Sequence, residues 1–230
     1  MLDAMREDVV TVTRLLVMQD ILDYSGHVSA RVPGEDNFLI QPRDMSRAAL
    51  SAPELLVVDL GGTVLEGDGV PPAEWPIHAG AYEARGDIAM VCHGHPLLST
   101  TFTMIDRPVL PMRHFAYKHG TGLQVHADPT HIVTMDQGRD LARTLGDGSA
   151  CLLRSHGTLV VAPSVQELFM DCMDLEENAR TQLYASQLGT PVPLSPQEIE
   201  DIARSYGKLG HRPNKMWEHY RHKGRVAGVL

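Results

Sequence analysis

Two histidines one residue apart, His93 and His95, close the apolar run Ile88-Ala89-Met90-Val91. That run reads as a buried strand. Side chains two apart leave a strand by the same face, so both imidazoles are expected to point the same way at its end. Gly94 between them leaves room, and Pro96 stops the strand. Two imidazoles presented side by side suit a divalent metal, although the same pattern also describes ordinary polar residues at a strand end. A third histidine in a similar setting strengthens the metal reading: Leu152-Leu153-Arg154-Ser155-His156-Gly157 is another short apolar run that ends in His-Gly. Three imidazoles with one open position form a typical donor set for a catalytic cation. Zinc suits them best, and manganese, cobalt or iron would also fit.

Histidines at strand ends need a sheet behind them, and the chain supplies one. Residues 2–23 carry apolar residues at helical spacing: Met5, Val9, Val12, Leu16 and Leu22. Tyr24-Ser25-Gly26 breaks that helix. Strands follow at 27–32 and 37–41, joined by the turn sequence Pro33-Gly34-Glu35-Asp36, and at 55–60 and 63–66 around Gly61-Gly62. A loop rich in Gly and Pro then delivers Glu74 to the start of a helix over 74–85. Residues 96–105 read as helix and 106–134 as mixed structure near a site, with the cluster Arg113-His114-Phe115-Ala116-Tyr117. Helices are expected at 135–145, at 164–188 with Ser164 as cap and Glu167 three residues on, and at 195–209 with the same pairing of Ser195 and Glu198. Strands lie around Cys151 and at 159–162. The basic tail from Trp217 to Leu230 shows no clear pattern. No repeat or linker interrupts the chain, which reads as one α/β domain over residues 1–230.

Composition narrows the function. At 230 residues, 43% hydrophobic and 21% charged, the chain can bury a sizeable core. A formal charge of −9 and the lack of a basic stripe argue against nucleic acid. No long apolar run suggests a membrane span. Cys92, Cys151 and Cys172 form no disulfide framework, and Cys92 and Cys151, inside apolar strands, read as buried thiols, which fits a reducing compartment, with the cytoplasm as the expected location.

Four pieces occur in an order that resembles the class II aldolase/adducin family, that of fuculose-phosphate aldolase. They are Ser25-Gly26-His27-Val28-Ser29-Ala30-Arg31, Pro71-Pro72-Ala73-Glu74-Trp75-Pro76-Ile77-His78, Val91-Cys92-His93-Gly94-His95-Pro96 and Ser155-His156-Gly157. The resemblance implies a mostly antiparallel sheet between helix layers, and a homotetramer with active sites between neighbouring subunits. It implies His93, His95 and His156 as metal ligands and Glu74 as the catalytic carboxylate. It also places His114 and Tyr117 near the position of a proton donor contributed by the neighbouring subunit.

Departures from the sugar-phosphate aldolases bear on substrate. They carry Asn where this chain has His27, and Ser-Ser where it has Pro72-Ala73, which removes phosphate-facing donors. Their small phosphate loop is replaced around Gln41–Asp44, which brings in Arg43, a residue suited to a planar carboxylate. His27 and Arg43 are therefore candidate substrate-binding residues. Some members of the family decarboxylate hydroxylated aromatic or heteroaromatic dicarboxylates, and the expected function is such a metal-dependent decarboxylase acting on a small molecule. Retro-aldol cleavage is the alternative within the same chemistry, and a non-catalytic adducin-like module the alternative outside it. His78, four residues after Glu74, reads as structural, and His119, His126, His131, His211, His219 and His222 carry no role.

Overall fold

A computed structural model describes the chain from Met1 to Leu230, apart from the side chains of residues 207–209. In chain order the elements are α1 (Leu2–Met18), β1 (His27–Arg31), β2 (Asn37–Ile40), β3 (Leu56–Asp59), β4 (Val64–Glu66), α2 (Trp75–Ala84), β5 (Met90–Gly94) and α3 (Leu97–Phe102). They continue as β6 (Val125–His126), α4 (Met135–Leu145), β7 (Ala150–Leu153), β8 (Gly157–Ala162), α5 (Val165–Leu188), α6 (Pro196–Leu209) and α7 (Arg212–Val226). The strands form one eight-stranded sheet in the order β4-β3-β2-β1-β5-β8-β7-β6. Neighbours run antiparallel except β6 and β7, so the expected mostly antiparallel sheet between helix layers is what forms.

Strand alternation divides the interior into two cores. Val28, Ala30, Met90 and Cys92 face one layer with Leu15 and Leu16 of α1 and Leu168 and Phe169 of α5. Val91, Leu153, Leu159 and Val161 face the other, with Ile77 and Tyr82 of α2 and Leu141 and Leu145 of α4. β5 and β8 are buried along their whole length, because both faces of the sheet centre are covered. His27 lies directly opposite His93 in the ladder, so the strand order alone brings two of the site histidines together.

α2 and α4 cross with almost nothing between them. A Cβ added to Gly80 would lie 2.5 Å from the carbonyl carbon of Gly138, and one added to Gly138 would meet the carbonyl oxygen of Pro76. Helix propensity alone favours Gly138→Ala by up to about 1 kcal/mol. Overpacking against a rigid backbone costs about 1–3 kcal/mol and should win. Gly138→Ala is therefore expected to lower the thermal midpoint, and an unchanged or raised midpoint would show that the helices can separate at little cost.

The helix expected over 2–23 ends at Met18. Asp20 adopts a left-handed φ of 56°, and the Ile21 and Leu22 amides both return to the Leu16 carbonyl at 3.0 and 3.3 Å. Leu22 keeps the apolar spacing because it is buried in the core, although it is not helical. α3 stops at Phe102, short of residue 105. The tail without a clear pattern is helical: α7 buries Trp217 edge-on against Phe169, with ring centroids 5.9 Å apart. Among the described residues no helix is long and apolar enough to cross a membrane.

Candidate metal centre

His93 is the last side chain on the central strand before Gly94, and it is fully buried. Its Nδ1 lies 3.0 Å from the Thr158 carbonyl oxygen. A carbonyl only accepts, so Nδ1 carries the hydrogen and Nε2 is left with a lone pair. His95 follows just beyond the strand end, with Nδ1 3.1 Å from Asp23 Oδ2 and 3.3 Å from Ser25 Oγ. The Asp23 carboxylate likewise takes Nδ1–H and leaves Nε2 bare. His156 sits in the β7–β8 turn, after Ser155 at a left-handed φ of 55°. Gly157 lets that turn close on β5, since a Cβ there would lie 2.9 Å from His95 Cδ2. The ring centroids of His93, His95 and His156 stand 5.0–5.5 Å apart.

Glu74 completes the group from the start of α2. Its side chain makes no capping bond there, so a purely helix-favouring role is not what holds it. Oε1 accepts the Ile132 amide at 2.9 Å and lies 3.5 Å from His156 Nε2, while Oε2 lies 3.5 Å from His93 Nε2. Burial alone would raise this carboxyl, but the His156 and His93 rings and the Ile132 amide hold it well below the usual carboxylate range. Burial conversely pushes His93 down, toward the neutral ring. A neutral Nε2 lone pair thus faces carboxylate lone pairs across 3.5 Å, and among the described residues this buried His93 Nε2 has no hydrogen-bond partner. Only a shared proton or a cation relieves that arrangement.

The donor set fits a cation by distance as well. One ligand atom from each of Glu74, His93, His95 and His156 lies within 4.8 Å of the others. Tetrahedral bonds of about 2.1 Å would separate ligand atoms by roughly 3.4 Å, close to the two 3.5 Å carboxylate–imidazole distances. Asp23 and Thr158 act as the outer partners that fix imidazole tautomers in such sites. Burial would raise Asp23, but the Ser25 and Gly26 amides and His95 outweigh it and bring it down to about 2.

The group opens into a cavity of about 580 Å³ that is also lined by His27, Arg43, Arg47, Pro72, Ala73 and His131. The sequence-predicted residues Glu74, His27, Arg43, His95 and His156 thus come together, with His93 directly behind them. His114 and Tyr117 do not join them within one chain. They stack on Tyr206 at 5.8 and 5.0 Å and are not part of this cavity wall. Arg43 is half exposed, with Asp44 Oδ1 at 3.5 Å.

Sequence reasoning missed four neighbours. Arg47, 5% exposed, gives Nε–H to Gly26 O at 2.9 Å and further hydrogens to the Arg43 and Met45 carbonyls at 2.8 and 2.6 Å. Nothing local in the sequence marks it as buried. Asp23 could have been found: an Asp two residues before Ser25-Gly26 is placed for a side-chain-capped turn, and its Oδ1 accepts both the Ser25 and Gly26 amides. His131, assigned no role, lies on the cavity wall with its ring 5.6 Å from His156. His78, read as structural, lies 2.6 Å from His27, and its spacing of four from Glu74 already put both on one helix face. Burial, then the His78 and His93 charges, push His27 well below the usual imidazole range, while burial followed by His93 brings His78 to about 3, so both rings are neutral.

Comparison with known proteins identifies the family. The class II aldolase and adducin N-terminal domain matches residues 7–183. L-fuculose phosphate aldolase of Escherichia coli O6:H1 is 27% identical over 190 residues, 82% of this chain and 86% of the relative. The 3,4-dihydroxyphthalate decarboxylase of Arthrobacter keyseri is 25% identical over 219 residues, 87% of this chain and 88% of the relative. Among solved structures, an aldolase II superfamily protein from Pseudomonas syringae superposes with a TM-score of 0.87 at 23% identity, over 99% of this chain and 94% of that one, which supports the fold. The chain belongs to the class II aldolase and adducin family, among its metal-dependent carbon–carbon lyases.

Proposed function

We propose that the protein decarboxylates a hydroxylated aromatic or heteroaromatic carboxylate, with zinc in the Glu74, His93, His95 and His156 group. One observation carries the preference for a carboxylate substrate. Arg47 is a buried guanidinium on the cavity wall whose hydrogen bonds go to carbonyl oxygens, and among the described residues no carboxylate pairs with it. Asp23 and Asp44 on the same wall act on this guanidinium only through space, and a buried cation held by carbonyls beside the exposed Arg43 favours an anionic ligand. Pro72 and Ala73 line the same cavity and offer a phosphate neither a proline N–H nor a hydroxyl.

A bound divalent cation supplies Lewis-acid stabilisation of the negative charge that develops as the carbon–carbon bond breaks. Arg43 and Arg47 hold the carboxylate that is retained. When the ring-to-carboxylate bond breaks, carbon dioxide leaves and its electron pair stays on the ring carbon, which takes a proton. Glu74 can carry that proton once it swings free, or a group from a neighbouring subunit can deliver it. His114 and Tyr117 lie off the cavity of their own chain and are assigned that second role, in a homotetramer with shared sites. Three buried free thiols fit a reducing, cytoplasmic setting.

Retro-aldol cleavage shares every residue of this scheme, and the Escherichia coli relative supports it as the second reading. An adducin-like module has no use for an intact carboxylate–imidazole group. The deciding assay compares carbon dioxide release from hydroxy-aromatic dicarboxylates, 3,4-dihydroxyphthalate among them, with aldehyde release from hydroxy-carbonyl compounds. Carbon dioxide release is expected, with Arg43→Ala raising KM about 10-fold, the low end for a charged hydrogen bond at a half-exposed site. Efficient cleavage of fuculose 1-phosphate with no carbon dioxide from the aromatic panel would return the chain to the sugar-phosphate aldolases.

A further inference from the structure

Beside the metal group runs a line of four buried polar side chains that the scheme above leaves unused. His27 Nδ1 lies 2.6 Å from His78 Nε2, His78 Nδ1 lies 2.6 Å from Ser29 Oγ, and Ser29 Oγ lies 2.7 Å from the Tyr82 hydroxyl. All four residues are at most 2% exposed. Their meeting follows from two periodicities. His27 and Ser29, two apart, leave β1 by one face, while His78 and Tyr82, four apart, share one side of α2. The Phe38 ring stands 6.2 Å from His78 and 5.5 Å from Tyr82, and the Arg31 guanidinium lies over the Tyr82 ring at 4.8 Å.

Counting hydrogens gives the line a direction. Among the described residues the Tyr82 hydroxyl has Ser29 Oγ as its hydrogen-bond partner and no other. A buried hydroxyl hydrogen without an acceptor costs about 1–3 kcal/mol, so the phenol donates to Ser29. Ser29 then turns its own hydrogen to His78 Nδ1, which must accept. His78 in turn carries hydrogen on Nε2 and donates to His27 Nδ1. The remaining hydrogen of His27 sits on Nε2, on the ring edge away from the line. In the reverse order the phenol hydrogen would be stranded in the core.

We propose that Tyr82, Ser29 and His78 are positioning residues that hold His27 as an Nε2–H donor toward the cavity, so that the ligand must present an oxygen acceptor at that point. A bare Nε2 there would instead repel carboxylate oxygens. The donor stabilises an oxygen that gains charge in the reaction, and it is preset before the ligand arrives. This deepens the carboxylate reading and rests on it only for the identity of the ligand.

The test reads ring hydrogens directly and needs no substrate. In zinc-loaded protein labelled with 15N in its histidine rings, long-range 1H–15N correlations report which nitrogen is protonated. His27 and His78 should each show hydrogen on Nε2 and a bare Nδ1. Hydrogen on Nδ1 of either ring overturns the proposal. In His78→Gln the amide can accept from Ser29 and donate to His27, so the single His27 Nε2–H signal and the metal content should persist. In His78→Leu the His27 signal should shift or broaden as its Nδ1 partner is lost, and a His27 spectrum identical to the parent's would show that His78 positions nothing. A carbon dioxide assay that fails while these tautomers hold retires only the substrate, and the opposite pattern retires only the relay.

Discussion

Glu74→Gln is expected to keep its metal and to lose turnover by about 10²-fold or more. Glutamine preserves the volume and can still accept the Ile132 amide that Oε1 accepts at 2.9 Å, so the start of α2 should stay in place. It removes the one carboxylate in the group, and with it the base that a released Glu74 would provide. The three imidazoles remain, two of them oriented by Thr158 and Asp23. Metal analysis and steady-state kinetics on the same preparation separate the outcomes. Near-normal turnover would show that Glu74 serves only as a ligand or as part of the helix start. Loss of metal together with activity would assign it to binding and leave the proton to another group.

His93→Ala should abolish activity by a different route, through loss of the metal. His93 is fully buried, and among the described residues its Nε2 has no hydrogen-bond partner, an orientation that suits a cation. A graded series makes the expectation sharper. Asp23→Ala removes an outer partner of His95 and the acceptor of the Ser25 and Gly26 amides but no ligand, and the loss of an outer partner typically costs about 10–100-fold in metal affinity. His93→Ala removes a ligand outright and should cost more, as should His95→Ala and His156→Ala. Metal content after dialysis against a graded chelator would order the variants. Full occupancy in His156→Ala would remove that residue from the ligand set.

Much of this centre could be read from residue order. His93, His95 and His156 each follow an apolar run, and the structure places each at or just past the end of a central strand. The α4 range and the caps Ser164 and Ser195 also match, because local hydrogen bonds set them: each serine accepts the amide three residues on. The end of α1 was not legible. Leu22 repeats at helical spacing, yet the backbone turns at Asp20 so that Leu22 can enter the core by another path. Tail helix α7 was missed because its sequence is mostly polar, and its ordering comes from Trp217 against Phe169.

The sequence by itself determined which side chains can bind a cation and that they sit at strand ends, since strand periodicity and breakers act over a few residues. Only the tertiary structure decided what surrounds them. Asp23 reaches His95 across 72 positions, Thr158 reaches His93 across 65, and His78 reaches His27 across 51. Strand order makes His27 the neighbour of His93, and the close crossing of α2 and α4 brings Glu74 against the Ile132 amide. Arg47 is buried only because the loops at 23–26 and 42–47 fold onto each other. Such contacts depend on how whole elements pack, and packing free energy is shared across the core, with no short stretch of sequence encoding it.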